Sequence, residues 1–246
     1  MASLIKDQAV GIQDIDDIYP PNGTPLPLSV DVDQLHLWNE YHRKYWNSAE
    51  RMSPTPLARL LADSLSRSQR VLELGCGSGS DAVFLQKQGH AVTATDFSEF
   101  AIHENTRFQE VSGVHFSVQD LRASLAFPDG AFDTVYARLS LHYFSDTVTR
   151  EIFREIHRVL RPAGKILFTC RSTDDPLYGE GDDLGPDLFL SQGQIRHFFS
   201  EEYTRHVLSA EGRFTVDSLT LCDELIYNHR ASVVQCSAHR SQGLST

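Results

Sequence analysis

Glycines, carboxylates and a histidine stand at spacings suited to holding a small ligand and acting on it. The segment VLELGCGSGSD, Val71 to Asp81, runs from an apolar stretch into Gly75, Gly77 and Gly79. Glycine there lets the chain turn sharply and brings backbone N–H groups close to a ligand at a helix N-terminus, which Ser78 or Ser80 is placed to cap. A dinucleotide fingerprint asks for glycine or alanine at position 80, where this chain has Ser80, so the loop is the tighter G-x-G-x-G. Seventeen residues beyond Gly79, AVTATDFS sets Asp96 at the end of the next apolar run. A carboxylate at that point can accept both hydroxyls of a ribose. Further on, VQDLR offers Asp120 to an exocyclic amine and the backbone of Leu121 to a ring nitrogen; Asp120 reads equally well as a helix cap.

The segment ARLSLHYF carries Arg138, Ser140, His142 and Tyr143 out of a fourth apolar run. Ligands of open α/β sheets bind in the crevice beyond such strand ends. His142 is the candidate base, because imidazole titrates near neutrality, and a histidine packed within its loop is the competing reading. Arg138 either fixes a carboxylate of a ligand or pairs with a surface acid. Residues 171–187, RSTDDPLYGEGDDLGPD, set Asp174, Asp175, Glu180, Asp182, Asp183 and Asp187 against the lone cation Arg171. Such a segment attracts an amine or another cation, or is a solvated loop.

These residues need a scaffold. Apolar runs at 71–74, 91–95, 114–118, 134–137 and 165–169 read as strands, and helical stretches Ser80–Gln88, Ser98–Asn105 and Asp146–Leu160 lie between several of them. Strand–helix alternation needs crossovers and gives a mostly parallel sheet covered on both faces. A helix follows Ser200 to about Ala210, and strands at 214–221 and 232–238 form a closing hairpin with an antiparallel element. Ahead of the core, Leu35, Trp38, His42 and Tyr45 share one helical face, and a second helix opens near Ser53 or Thr55. The expected organisation is one α/β domain over 1–246. Residues 1–30 are a flexible arm or lid, 31–53 a cap helix, and 54–240 the core.

Composition narrows the function. The 246 residues carry a formal charge of −11, which argues against nucleic acid as a partner. No run reaches the 18 or so apolar residues of a membrane span, and the acidic N-terminus does not resemble a signal peptide, so a cytoplasmic protein is expected. The four cysteines, Cys76, Cys170, Cys222 and Cys236, are widely spaced without metal-ligand patterning. Buried free thiols and no metal are expected.

The glycine loop, Asp96, Asp120, the FD-led fourth strand and LRPAGK resemble, in order and spacing, the class I S-adenosylmethionine-dependent methyltransferases over about residues 54 to 240. The resemblance implies a Rossmann-like seven-stranded sheet, mostly parallel with an antiparallel last strand, beneath an N-terminal helical cap. It implies that Glu73, Gly75, Cys76, Gly77 and Gly79 surround the methionine part of S-adenosylmethionine. Asp96 would hold the ribose hydroxyls, Phe97 would pack on adenine, and Asp120 with Leu121 would bind its edge. His142, Arg138 and Tyr143 become the candidate catalytic groups. Tyr41, Tyr45 and Trp46 of the cap and Arg171, Asp174 and Tyr178 beyond the fifth strand become candidates for acceptor binding. The implied activity is methyl transfer to N, O or S of a small molecule, an amine slightly favoured by the acidic segment, in a monomer or homodimer. The rivals are a nicotinamide-dependent oxidoreductase, against which Ser80 and LRPAGK count, and a non-catalytic cofactor-binding module of the same fold.

Overall fold

Alternate residues of the apolar runs fill opposite faces of one sheet. In β1 (Arg70–Leu74) Val71 packs on one face and Leu72 and Leu74 on the other. β4 (Phe132–Arg138) divides Tyr136 from Val135 and Ala137 in the same way, and β5 (Leu160–Arg171) divides Leu167 from Ile166 and Phe168. With β2 (Ala91–Asp96), β3 (His115–Val118), β9 (Phe214–Ile226) and β10 (His229–Arg240), these form a seven-stranded sheet in the order β3-β2-β1-β4-β5-β10-β9. Neighbours from β3 to β5 run parallel, and β10 lies antiparallel between β5 and β9. The fold is thus the expected α/β sheet with an antiparallel last strand. This computed structural model describes residues 30–47, 53–65, 68–107, 112–226 and 229–241. The expected arm up to residue 29 and positions 48–52 of the expected cap helix lie outside the described residues.

Helices supply the crossovers and bury both faces. α2 (Pro56–Ser64) and α3 (Ser80–Lys87) cover one face with Leu57, Ala58, Leu61, Ala82 and Leu85. α5 (Asp146–Val159) and α6 (Glu201–Ser209) cover the other with Ile152, Phe153, Ile156, Val207 and Leu208. α4 (Glu99–Thr106) is capped by Ser98, whose Oγ accepts from the Ala101 N–H at 3.1 Å. α3 corrects the expected cap. Neither Ser78 nor Ser80 serves; Gly79 is the N-cap, at φ 73°, with no side-chain cap bond. A β-carbon on Gly79 would stand 2.9 Å from the Phe116 ring and 3.0 Å from Asn105 Oδ1, so the position excludes a side chain as well as requiring a left-handed turn.

Several boundaries differ from expectation, and the closing hairpin is longer than expected, its strands running over Phe214–Ile226 and His229–Arg240. α1 (Val30–Tyr45) takes in Val30 and ends at Tyr45, short of residue 53. β5 starts at Leu160, directly after α5, because Pro162 has no N–H to continue a helix and Ala163 turns to φ 58°. The acidic segment is not wholly loop. Its end and the residues after it form a small antiparallel sheet of β6 (Asp182–Gly185), β7 (Leu188–Ser191) and β8 (Gln194–His197). Among the cysteines, Cys76, Cys170 and Cys236 are buried, and burial pushes the Cys236 thiol up to about 12; Cys222 is only half-buried. No helix among the described residues is long and apolar enough to cross a membrane.

Candidate active site

The carboxyl ends of the parallel strands open into a cavity of about 880 Å³ roofed by α1. It is built first from the glycine loop. Gly75, at φ 77°, and Cys76 both donate their N–H to Thr95 O, at 2.8 and 2.9 Å, which ties β1 to the end of β2. Ser140 Oγ donates to Leu74 O at 2.6 Å, and a β-carbon on Gly75 would sit 2.3 Å from Ser140 Cβ. The turn after β4, where Leu139 has φ 52°, therefore presses against the loop as closely as glycine permits.

Asp96 holds the loop from its other side. Its two oxygens accept the Gly77 and Ser98 N–H groups, each at 2.8 Å, and His42 Nε2 of α1 lies 3.8 Å from it. Asn39 secures α1 above, accepting at Oδ1 from Ser98 Oγ at 2.8 Å and from the Phe100 N–H at 3.1 Å. Gln34 of α1 also donates to Gly193 O in the turn between β7 and β8. Asp120 is bound by its neighbour: Arg122 Nη2 and Nε reach its carboxylate at 2.8 and 3.0 Å, and the same guanidinium lies 5.1 Å from the Phe97 ring centre.

Below the loop, Asp81 accepts from the Thr55 N–H and Oγ at 2.7 Å and from Tyr136 OH at 2.6 Å. Glu73, 3% exposed, faces this cluster and the cavity, and its Oε2 is buried without a partner. Burial, with Asp81 and Asp96 nearby, pushes the Glu73 carboxyl well above the usual carboxylate range. A buried carboxyl with one oxygen left unmet calls for a cation or a donor in the cavity beside it.

Of the expected residues, Glu73, Gly75, Cys76, Gly77, Asp96, Phe97, Asp120, Leu121, Arg138, Tyr143, Tyr41 and Arg171 line the cavity. Gly79, His142, Tyr45, Trp46, Asp174 and Tyr178 do not. His142 is fully buried and stacks on Tyr143 with ring centres 4.3 Å apart. Neither of its nitrogens has a partner; burial first, then Arg171, Arg196 and His197, holds the imidazole well below its usual pKa. It lies off the cavity lining. Arg138 pairs with Glu224 at 2.8 Å, and Asp174 and Tyr178 are exposed. Sequence reading missed Trp38, Arg122, Gln194, Ile195 and Arg196 as lining residues. Trp38 had a signal, its helical spacing with Tyr41 and His42; the β8 residues had none.

Residues 71–164 match the family described as "Methyltransferase domain". An uncharacterized methyltransferase of Synechocystis is 33% identical over 115 residues, 47% of this chain and 51% of that protein. The glycine/sarcosine/dimethylglycine N-methyltransferase of Actinopolyspora halophila is 28% identical over 193 residues, 72% of this chain and 34% of that protein. The chain thus spans about half the length, or less, of these curated relatives. The crystal structure of Burkholderia thailandensis 1,6-didemethyltoxoflavin-N1-methyltransferase, with 1,6-didemethyltoxoflavin and S-adenosylhomocysteine bound, aligns with TM-score 0.67 and 21% identity over 90% of this chain and 94% of that one. Residues 71–164 thus carry a methyltransferase-family domain, and the seven-stranded sheet with its inserted last strand has the fold of solved S-adenosylmethionine-dependent methyltransferases.

Proposed function

We propose that this chain moves a methyl group from S-adenosylmethionine to nitrogen, oxygen or sulfur of a small molecule, as a cytoplasmic enzyme of small-molecule metabolism. The observation that carries the reading is Glu73, buried with its Oε2 unpartnered, beside a glycine loop that Asp96 and Ser140 hold open to the cavity. Glu73, Gly75, Cys76 and Gly77 would hold the methionine part, Asp96 the ribose, and Phe97, Asp120 and Leu121 the adenine. When bound, S-adenosylmethionine would supply a methyl group on a sulfonium for transfer to an acceptor lone pair, with S-adenosylhomocysteine as the other product.

The chain's own contribution in this reading is positioning. Holding two partners in line at near-attack distance lowers a bimolecular barrier without a proton-transfer group. Tyr143 and Arg138 stand at the acceptor side of the cavity, and His142, off the cavity lining, has a packing role. The amine preference drawn from the acidic segment loses its basis, because Asp174, Glu180, Asp182, Asp183 and Asp187 all lie off the cavity lining, and so does Asp175.

Thermal unfolding with S-adenosylhomocysteine, S-adenosylmethionine and NAD in parallel tests this reading. A ligand at about 100 times its Kd adds about 2.7 kcal/mol, a rise of about 5–10 °C for a chain this long. A shift with the two adenosyl compounds and none with NAD is expected, and Asp96→Ala should remove most of it. A shift with NAD alone would overturn the proposal. Cofactor binding with no product from amines, phenols, thiols or acids would favour a non-catalytic module.

A further inference from the structure

The cavity is sorted by charge along the order of the strands. On one side of the boundary between β1 and β4, β1 and β2 present Glu73 and Asp96, the turn after β3 presents Asp120, and α3 adds Asp81. On the other side β4 ends in Arg138 and β5 in Arg171. β10 runs antiparallel to β5, with Val233 opposite Arg171, so its first residues, His229 and Arg230, stand at that same edge. β8 adds Arg196. It is fixed there because the His197 N–H donates to His142 O and the Phe199 N–H to Arg171 O, each at 2.8 Å. The acidic side has one guanidinium, Arg122, bound to Asp120; among the described residues, no carboxylate lines the basic side.

The acids that answer these arginines lie off the cavity lining. Arg138 Nη2 donates to Glu224 at 2.8 Å, and Arg171 Nη1 to the fully buried Asp175 carboxylate at 2.7 Å. That carboxylate is itself fixed by the Leu177 N–H at 3.0 Å and the Ser232 N–H at 3.1 Å. Each pair uses one of a guanidinium's five N–H groups and fixes how it is held. Two buried donors beside this wall lack any acceptor: Arg138 Nε, and Nε2 of Gln194, which is 1% exposed and whose Oε1 accepts from Arg196 Nη2 at 3.0 Å. Buried donors left unmade are expensive, and what they lack is an acceptor rather than another donor. Apolar side chains complete the same half, Leu177, Ile195, Leu225 and Ile226 among them.

We infer that the methyl acceptor is an organic acid with an apolar body, whose carboxylate docks on Arg138, Arg171, Arg196 and the Gln194 amide. The inference rests on the proposed methyltransferase reading of the same cavity. The carboxylate is the anchor and not the methylated atom, because its lone pairs are engaged by the guanidiniums. The accepting nitrogen, oxygen or sulfur therefore sits elsewhere on the molecule, toward the β1–β4 boundary where the acidic half begins. A purely cationic amine would find three guanidiniums and an amide donor on this side of the cavity and no carboxylate lining it among the described residues, and is rejected by this wall.

Calorimetric titration of the full chain saturated with S-adenosylhomocysteine tests the inference with chosen probes: 3-phenylpropionate and hexanoate, their amides, and phenethylamine. The acids should bind at least about tenfold tighter than the amides, and the amine should not bind. Arg196→Met should weaken acid binding about tenfold or more, and Arg196→Lys should recover part of it, with S-adenosylhomocysteine affinity within about twofold of the parent in both. Where Arg196→Met disturbs the small sheet, the acid–amide comparison on the unaltered chain still decides. Equal binding of acids and amides, binding of the amine instead, or no acid binding at about 10 mM overturns the inference. Failure of S-adenosylhomocysteine to bind overturns the functional reading instead, and the acid titration repeated without it still judges the wall.

Discussion

Replacing Gly75 by alanine sets two separable penalties against each other's remedies. At φ 77° an alanine pays the left-handed penalty, about 1–2 kcal/mol. Its β-carbon would also stand 2.3 Å from Ser140 Cβ, well inside the roughly 3.5–4.0 Å at which carbons rest. Ser140 has no flexible end to swing aside, so the turn after β4 must move, and its 2.6 Å bond to Leu74 O weakens with it. Overlap of this kind adds about 1–3 kcal/mol, for a total near 3 kcal/mol and a fall in Tm of about 6–12 °C. Ser140→Gly alone loses that bond and gains backbone freedom, about 1.5–2 kcal/mol. In the double variant the nearest remaining Ser140 atom is Cα at 3.7 Å, an ordinary contact. The overlap is gone and only the strain of φ remains. Urea unfolding of the four chains should show the double variant less destabilised than the sum of the singles by about 1–2 kcal/mol. Strict additivity, or a Gly75→Ala chain with the parent's midpoint, refutes the argument that these two residues define the loop by contact.

At the opposite edge of the sheet, Arg70 and Arg161 hold the Asp133 carboxyl well below its ordinary value. A depressed acid stabilises above its unfolded pKa and loses that contribution as pH falls through the folded one. Asp133→Asn should therefore lower stability by about 1 kcal/mol at neutral pH, the gap closing as pH drops below about 4 in denaturant titrations. His142 has the reverse sense: its depressed imidazole leaves the unfolded state binding the extra proton below about pH 6.5. The parent should lose stability as pH falls from 7 to 5, and His142→Gln should flatten that slope by about one proton while keeping more than about a tenth of the turnover measured with labelled methyl donor. Tyr136→Phe removes one donor from Asp81, bonded at 2.6 Å, and should destabilise by about 1–2 kcal/mol by urea midpoint without changing the m-value.

The glycine-loop half of the cavity, where the cofactor is proposed to sit, was legible because its parts are local. A strand, a glycine turn and a helix lie within Val71–Lys87, and Asp96 ends the very next strand, so short-range rules fix where each side chain goes. Of the basic half only Arg138 and Arg171 were legible, each named as a candidate. Arg138, Arg171, Arg196 and Arg230 come from four strands, and only the sheet order and the reversed direction of β10 bring them to one edge. The acidic segment misled for a related reason: its charge was visible, but which carboxylates face inward depends on a buried pair, Arg171 with Asp175, made between β5 and the turn that follows it. β6, β7 and β8 escaped notice because strands of four residues, with Gly185 and Gly193 in or between them, show too little alternation to separate from loop.

The insertion of β10 between β5 and β9 has a consequence for how the chain acquires its shape on the ribosome. Among the described residues β9 pairs only with β10 within the sheet, so it has no neighbour to join until the strand made after it arrives. β1 to β5 and their helices can assemble as they emerge, complete with the glycine loop and Asp96. β10 must then enter a slot beside β5 some 64 positions back, Val234 against Cys170, carrying His229 and Arg230 to the rim. Closing so long a stretch of chain is slow. The nascent protein would thus own the glycine loop with Asp96 before it owns the basic wall, so in the proposed reading the choice of acceptor matures last.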